Sequence, residues 1–566
     1  METLYEKSSL ILNPGVYDTG KVYCTKPFDG SGDLTFTRNS NATRVNADGL
    51  VEKVRTQLLY QTDFSNAYWL NRGFTLNSST ATAPDGTATA TKITENNTST
   101  NPGLVVLSAP AYSTATNISV WLKADAPTTI NLSTQGASPG ASISITTTWQ
   151  KFSFSQTYSA TTGPHIGGFA SIAQGSGIVL YVWQPMWEIG DAPTNFIENS
   201  TGAPLSVGPT ANVPRLNYSN GCPSLLLEPQ RTNQTLYSEQ FDNGWASSVT
   251  IVPNQAVSPD GYQNADLLYS TSSGSGKRVL RSSGVTVSTA YTFSVYAKAA
   301  GQNFIYFPDV NNLVNNVWFD LSNGTFSTPS QGTASMIDCG NGWYRCICTT
   351  TATTTGGYSY IGISSSSGST VFNTDGTTGV YVWGAQLEAG SYASSYIPTL
   401  GASVTRLADA AYKTGISSLI GQTEGTFFVD IVLKNDIASV NRVISLTESN
   451  WLSGGSMRID IQATNISADF VDSNTSVGSV SANIVMLPNT RYKIAIGYKQ
   501  NDLVLYMNGT QLGTNTSTGA MPTCSELYLN ELGGGFGGPW AATEFNQALL
   551  FKTRLTNAQL AELTTL

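Results

Sequence analysis

The chain contains one module twice, and that repetition limits its architecture more than any other feature. Leu58-Leu-Tyr-Gln-Thr-Asp-Phe64 returns as Thr235-Leu-Tyr-Ser-Glu-Gln-Phe241, and Ala83-Pro-Asp-Gly86 returns as Ser258-Pro-Asp-Gly261. Ser113-Thr-Ala-Thr-Asn-Ile-Ser-Val-Trp-Leu-Lys-Ala124 returns as Ser288-Thr-Ala-Tyr-Thr-Phe-Ser-Val-Tyr-Ala-Lys-Ala299. Tyr181-Val-Trp183 with Glu188-Ile-Gly190 returns as Tyr381-Val-Trp383 with Glu388-Ala-Gly390. Phe64 and Phe241 stand 177 residues apart, Lys123 and Lys298 175, and Glu188 and Glu388 200, so the second copy carries extra loop residues in its second half. Solenoid repeats recur every 20–50 residues or so. A period this long marks a duplicated domain. Two copies without an obvious catalytic residue suggest binding by avidity rather than chemistry.

A chain of 566 residues is too long for one core and implies about three or four domains. Charged residues make up 11% of it, against roughly 25% in ordinary globular chains. Ser, Thr, Asn and Gly supply the polarity instead, which suits short strands and close turns. The net charge is −9, and no basic stripe exists for nucleic acid to follow. No apolar run of about 18 residues exists, so membrane insertion is not expected. Met1-Glu-Thr-Leu-Tyr-Glu-Lys7 does not read as a secretory signal. Six cysteines do not make a disulfide scaffold, and Cys339, Cys346 and Cys348 fit no zinc spacing beside the lone His165. Buried or inert thiols and assembly in a reducing cytoplasm are the expectation.

Period-two runs place strands at Ile118–Leu122, Phe152–Phe154 and Ile178–Trp183 in copy one, the last expected to be buried on both faces. Copy two shows them at Tyr291–Ala297, Trp343–Cys348, Tyr358–Ile363 and Val380–Trp383. Near the end, Tyr492, Ile494, Ile496 and Tyr498 alternate on one face, and Asn508-Gly509 signals a two-residue hairpin. Thr556 with Gln559 forms a capping box for a last short helix. The fold class is therefore all-β and multidomain: tandem jelly-roll β-sandwiches followed by a lectin-like β-sandwich. The expected boundaries are an attachment region at 1–56, jelly rolls at 57–214 and 215–414, and the last sandwich at 415–566. Each copy is entered through a connector with a Glu and an Arg, Glu52 and Arg55 before the first, Glu228 and Arg231 before the second. An exposed ion pair between them would contribute little.

Copy two carries Gln230-Arg-Thr-Asn233, Gly340-Asn-Gly-Trp-Tyr-Arg-Cys346, Trp383-Gly-Ala-Gln-Leu-Glu-Ala-Gly390, Tyr396-Ile-Pro-Thr399 and Val404-Thr-Arg-Leu-Ala-Asp409. The start carries Asp29-Gly-Ser-Gly-Asp-Leu-Thr-Phe-Thr-Arg38 and Ala42-Thr-Arg-Val-Asn-Ala-Asp-Gly-Leu-Val-Glu52. Together these strings resemble tailed-phage head-fibre, head-spike or tail-fibre structural proteins with carbohydrate-binding-module-like jelly rolls. Leu505-Tyr-Met-Asn-Gly509 and Phe551-Lys-Thr-Arg-Leu-Thr-Asn-Ala-Gln-Leu560 resemble concanavalin-A/laminin-G-like domains. The resemblance implies a virion protein made in a bacterial host cytoplasm, a homo-oligomer such as a trimer, with capsid or tail proteins and host-surface glycans as partners. That second family sometimes holds calcium, but no ligand set matches here, so a structural calcium stays unassigned and no other cofactor is implied.

The candidate ligand residues are aromatic. Trp451 and Trp540 sit on loop-like sequence in the last unit, where ligand contacts concentrate. Trp183 and Trp383 hold equivalent places in apolar runs and suit core packing better than sugar stacking. Trp187 is replaced by Leu387, which also fits a core. Glu188 and Glu388 suit a calcium ligand or a sugar-hydroxyl acceptor, or else a carboxylate accepting local hydrogen bonds where a strand ends. They belong to different domains, whereas the carboxylates of a glycosidase face each other across about 5–10 Å. Asp460, Asp469 and Asp472 offer no facing pair either, and Gly533–Gly538 lacks the Lys-Ser/Thr of a phosphate loop. The expected function is a non-enzymatic phage fibre, spike or decoration protein. It would attach by its N-terminal region and bind glycans with its outer sandwiches. A capsid-cementing protein and a polysaccharide-degrading tailspike are the alternatives.

Overall fold

The computed structural model describes residues 3–57, 63–106, 115–134, 141–157, 164–167, 171–189, 193–199, 205–307, 316–434, 440–449, 454–531 and 541–566. Among the described residues almost all regular structure is strand, and the two α-helices span Leu4–Lys7 and Asn557–Thr564. The chain divides into two compact units. The larger holds Met1–Lys53, Pro209–Val252 and Leu267–Leu566, and the smaller holds Val54–Gly208 and Pro253–Asp266.

The smaller unit contains the first jelly roll. One sheet runs in the order Gln150–Thr157, Ala115–Ala124, Val179–Ile189, Ala90–Glu95, Phe74–Ala81. The facing sheet runs Ala141–Ile145, Thr128–Thr134, Pro164–Gly167, Gly103–Val106, Trp69–Arg72. Alternation sends Ile118, Val120, Leu122, Leu180 and Val182 into the core between them. The second jelly roll repeats this plan in the larger unit. Trp343–Thr351, Ala290–Ala300 and Gly379–Ala389 pair in the same order as their counterparts in copy one. Each copy also carries the same bulge. The register slips between Ser119 and Trp121 against the Val179–Ile189 strand, and between Ser294 and Tyr296 against Gly379–Ala389.

The lectin-like sandwich is assembled from separated stretches of sequence. Its first sheet joins Leu216–Asn217, Ser224–Leu227, Thr543–Phe551, Glu424–Leu433, Thr490–Lys499, Leu503–Met507 and Thr510–Asn515, and Leu10–Leu12 also pairs with Thr543–Phe551. The second sheet includes Leu34–Thr37, Ala410–Lys413, Glu526–Leu529, Asn441–Thr447, Ser456–Gln462, Asn465–Asp472 and Thr475–Ala482. The expected boundaries at 56, 214 and 414 therefore need correction. Residues 1–56 do not stand apart, because Leu10, Leu12, Leu34 and Phe36 are buried in the sandwich core. Residues 215–228, assigned to copy two, supply two more strands. The physical reason is edge satisfaction: short apolar strands distant in sequence complete ladders that the last 150 or so residues alone would leave open. Both jelly rolls are insertions into this sandwich.

The places where the chain leaves and re-enters the sandwich meet in one buried charge cluster. Arg38 follows the Leu34–Thr37 strand, Glu228 follows Ser224–Leu227, and Asp409 precedes Ala410–Lys413. Arg38 Nη1 lies 3.0 Å from Asp409 Oδ1, and Arg215 donates to the other oxygen of Asp409 and to Glu228 Oε2 at 2.6 Å. Arg406 Nη1 lies 2.8 Å from the same Glu228 oxygen, and Ser395 donates to Glu228 through N at 2.9 Å and Oγ at 2.6 Å. Burial alone would raise Glu228, but the guanidiniums of Arg406 and Arg215 outweigh it and hold the carboxyl well below the usual range. The Glu and Arg of each connector take other partners. Glu52 pairs with Arg44 at 2.6 Å and Arg55 with Asp260 at 2.8 Å.

Local details follow the chain's own signals. Tyr492, Ile494, Ile496 and Tyr498 all enter the sandwich core. Asn508 at φ 48° and Gly509 at φ 80° turn the hairpin that pairs Met507 with Thr510, as a two-residue turn with both residues left-handed requires. Thr556 caps the last helix, with Gln559 N donating to its Oγ1 at 3.3 Å and Gln559 Oε1 accepting from Thr556 N at 3.0 Å. The six cysteines are all free. Cys346, Cys348 and Cys524 are buried, Cys24 and Cys339 are partly buried, and Cys222 is exposed.

Candidate functional site

The jelly-roll strands that bury Val120 and Leu122 must turn Trp121 and Lys123 the other way. The same parity turns Tyr181 and Trp183 outward from Leu180 and Val182. Strand register then sets these side chains in two rows on the outer face of the smaller unit. Lys151 pairs with Trp121 and Trp121 with Trp183. Lys123 pairs with Tyr181 and Tyr181 with Lys92, and Trp149 stands just before the Gln150 strand. Lys151 is exposed, and the other six side chains are partly exposed. This corrects the expectation that the strand through Trp183 is buried on both faces.

The rows are held by specific contacts. The Trp121 and Trp183 rings lie 6.3 Å apart at 58°, and Trp149 and Tyr181 6.4 Å apart at 69°. Trp183 Nε1 donates to Thr89 Oγ1 at 3.0 Å, and Trp149 Nε1 to the Thr82 carbonyl at 3.1 Å. The Tyr181 hydroxyl donates to Asp125 at 3.0 Å; burial first and this bond second push its pKa up. Lys151 Nζ donates to the Thr194 carbonyl at 3.3 Å, and burial pulls its pKa down against the opposing field of Glu188. The indole orientations are thus fixed before any ligand arrives, while part of each face stays open.

Copy two carries the same rows and closes the one through Trp383, while Lys298 and Tyr381 of the other stay partly exposed. Trp383 is 0% exposed and Tyr296, opposite it in the ladder, 4%. Tyr396 packs on Trp383 at 4.7 Å and on Tyr296 at 6.2 Å. Its hydroxyl donates to Glu239 at 2.9 Å, its carbonyl accepts from Thr43 Oγ1 at 2.5 Å, and Lys53 Nζ, paired with Glu239, lies 5.4 Å over the Trp383 ring. Trp383 and Trp187 are both core residues, each at 0% exposure.

Glu188 and Glu388 are both fully buried and play one part in each copy. Glu188 accepts from Thr194 N at 2.7 Å and Thr194 Oγ1 at 2.5 Å. Glu388 accepts from Ser394 N at 2.9 Å, Ser394 Oγ at 2.6 Å and Gln386 Nε2 at 2.6 Å. Of the two readings open in the sequence, the geometry is that of a carboxylate clamping the chain just past the last strand. Trp451 and Trp540 lie outside the described residues. The strand ends that precede them, Thr447 and Leu529, lie on adjacent strands at opposite ends of one four-pair ladder. Asp460 is 6% exposed and accepts from Arg458 Nε at 2.9 Å; burial raises its carboxyl against the pull of Arg458. Asp469 accepts from Ser467 at 2.9 Å. Among the described residues no group of three or more His, Cys, Asp or Glu side chains is placed to hold a metal ion, and no helix is long and apolar enough to cross a membrane.

Sequence reading missed Trp121, Trp149, Lys123, Tyr181 and Lys92 as a site. The available signal was parity: in Ile118-Ser-Val-Trp-Leu-Lys-Ala124 the aromatic and the lysine share the face that the aliphatic residues avoid.

No family model matches the chain, and no curated protein matches it. Solved structures similar to part of it include the CBM40 of the Ruminococcus gnavus IT-sialidase bound to alpha2,3 sialyllactose. That match is 10% identical, covers 27% of this chain and 91% of that one, and has a TM-score of 0.24. The leech intramolecular trans-sialidase is 13% identical over 25% of this chain and 23% of its own, at 0.23. The botulinum neurotoxin serotype D binding domain is 14% identical over 27% and 40%, at 0.22.

Proposed function

We propose that this chain is a non-enzymatic glycan-binding protein of a tailed-phage particle, serving as a fibre, spike or decoration protein. Its outward aromatic face in the smaller unit is the sugar-binding surface. The observation that carries the glycan reading is the row of Trp121 and Trp183, two preoriented and partly exposed indoles side by side. Pyranose rings present C–H faces that pack on indoles, while neighbouring polar groups fix the hydroxyls. Orientation set in advance by the Thr89 bond spares the ligand an ordering cost. The phage assignment rests on the motif resemblance. Single sites of this kind are weak, so a homo-oligomer such as a trimer would bind host glycans by multiplying them. Attachment to capsid or tail falls to the N-terminal segment, where Phe28 is 91% and Val16 64% exposed.

The test is binding of the full chain to host-surface polysaccharide by calorimetry, with Trp121→Ala and Trp183→Ala beside the parent. Each variant is expected to lose about tenfold in affinity with little change in melting temperature. Undiminished binding by both variants would remove this site. Shortening of the polysaccharide would favour the tailspike enzyme, and glycan silence with tight capsid binding would favour the cementing protein.

A further inference from the structure

The aromatic rows of the smaller unit are interleaved with cations, and that pattern discriminates among glycans. Lys123 Nζ lies 4.7 Å from the Tyr181 ring centroid and 5.6 Å from that of Trp149. Lys92 Nζ lies 5.9 Å from Tyr181 on the other side. Neither lysine forms an ion pair among the described residues. This is notable in a chain of net charge −9, where carboxylates outnumber cations. A cation–π contact holds an ammonium against a ring without neutralising it. The nearby Asp125 accepts from the Tyr181 hydroxyl and keeps its charge, so Lys92 and Lys123 together leave the face with a net single positive charge. Copy two lacks the feature. At the offset that relates Lys123 to Lys298, Lys92 becomes Leu267 and Asp125 becomes Ala300, while Trp343, in the place of Trp149, is 2% exposed.

We infer that this face takes carboxylate-bearing glycans, of which uronic acid polysaccharides are the chemical class. The pyranose ring would lie on the Trp121–Trp183 row and the sugar carboxylate would meet Lys123 and Lys92. The inference rests on the glycan-binding reading and narrows its ligand. Lysine suits the task because a mobile ammonium with three donors can follow a carboxylate whose position varies along a chain. Partial burial of both lysines strengthens the charge-assisted bonds they would make.

The experiment titrates the full-length protein with oligomers of galacturonate, glucuronate and mannuronate, each beside its carboxyl-reduced neutral counterpart. At least one acidic oligomer is expected to bind about tenfold tighter than its counterpart at low salt, and the preference should shrink as salt is added. The double variant Lys92→Met, Lys123→Met keeps the aliphatic stems and should bring the two members of the pair within about twofold. Trp183→Ala should weaken both members together. Equal binding of acidic and neutral members by the parent protein overturns the inference and leaves the glycan reading standing, and it needs no variant to fold. A preference that survives the double variant also overturns the assignment to these lysines. Binding of neither series defeats the glycan reading itself.

Discussion

Trp183 and Trp383 occupy the same position of the same bulged strand in two copies of one jelly roll. One is partly exposed and the other is sealed under Tyr396, with Lys53 above it. The repeated residues specify the sheet and its outward rows in both copies. They do not specify what covers those rows. In copy two the cover comes from a connector and from the chain just past the last strand. Lys53 and Thr43 precede the first jelly roll, and Tyr396 follows the clamp at Glu388 and Ser394. A duplicated module can thus keep one fold while one copy seals its tryptophan and the other leaves it partly exposed. The same comparison removes the ground for expecting avidity between the two copies within one chain, because Trp383 is sealed.

The largest effect should come from the charge cluster that anchors the copy-two side. Asp409→Ala would leave Arg38 and Arg215 buried without their shared carboxylate and remove the acceptor of Glu228 N–H at 2.9 Å. Breaking such a buried cluster is expected to cost about 5 kcal/mol, the upper end for a stranded buried charge. A large drop in the denaturation midpoint of the larger unit would confirm it. A near-neutral result would show that the crossovers are held by the sheets alone.

Next in size is the pair Trp383→Ala and Trp183→Ala. The first empties a sealed position and should cost about 4 kcal/mol. The second removes a partly exposed ring and should cost about 1 kcal/mol or less while weakening the proposed glycan binding about tenfold. Thermal denaturation and binding measured on the same two proteins separate the outcomes. Equal destabilisation by both would break the comparison, because it would mean that the copy-one row is core as well.

Acid should also distinguish the regions. Glu228 is held below its ordinary 4.5, so its contribution is present above that value and is lost as pH falls through its folded value. Glu188 is raised above 4.5, first by burial, with the Thr194 bonds pulling it back. The folded state therefore binds the extra proton between 4.5 and the raised value, and stability contributed there increases as pH falls through that window. A tenfold difference in proton affinity between the folded and unfolded chain corresponds to about 1.4 kcal/mol. Amide exchange, corrected for its intrinsic pH dependence, should show protection in the Val179–Ile189 strand rising slightly toward pH 5, with the Ser224–Leu227 strand losing protection only below about 4.5. Loss of protection in both at once would show that neither carboxylate sets the response.

Much of this was legible in the sequence, and the rest was not for identifiable reasons. The all-β class, the bulk of the strands, the Asn508-Gly509 hairpin and the Thr556 cap depend on local periodicity and local hydrogen bonds, which sequence carries directly. The burial of Trp187 followed from its exchange with Leu387. The three-part entry into the lectin-like sandwich depends on pairings between Leu10–Leu12 and Thr543–Phe551, and between Leu34–Thr37 and Ala410–Lys413, that no local pattern encodes. Arg38, Glu228, Arg406 and Asp409 stood inside the motifs and connectors that the sequence singled out, but their roles become visible only when strand ends hundreds of residues apart converge. The aromatic face was hidden for a different reason. Trp183 and Trp383 are equivalent by repeat, and equivalence suggested one burial for both.

The smallest effect concerns the bulge itself. In copy two the turn residue is Gly384 at φ 66°, and in copy one it is Gln184 at φ 45°. A left-handed backbone costs a side chain with a Cβ about 1–2 kcal/mol. Glycine avoids that cost but gives some of it back through the freedom of the unfolded chain. Gln184→Gly should therefore stabilise the smaller unit by about 0.5–1 kcal/mol, while leaving Trp183 in place. The reverse change is not symmetric. A Cβ on Gly384 would come within 2.9 Å of Tyr296 Cδ2 and 3.4 Å of Tyr396 Cε2, so Gly384→Ala adds a clash with the cover to the backbone strain. It should destabilise by about 2 kcal/mol or more. If both substitutions shift the melting temperature by similar amounts in opposite directions, the two bulges differ only in backbone strain. A much larger loss at Gly384 would show instead that its lack of a side chain is what lets the copy-two cover close.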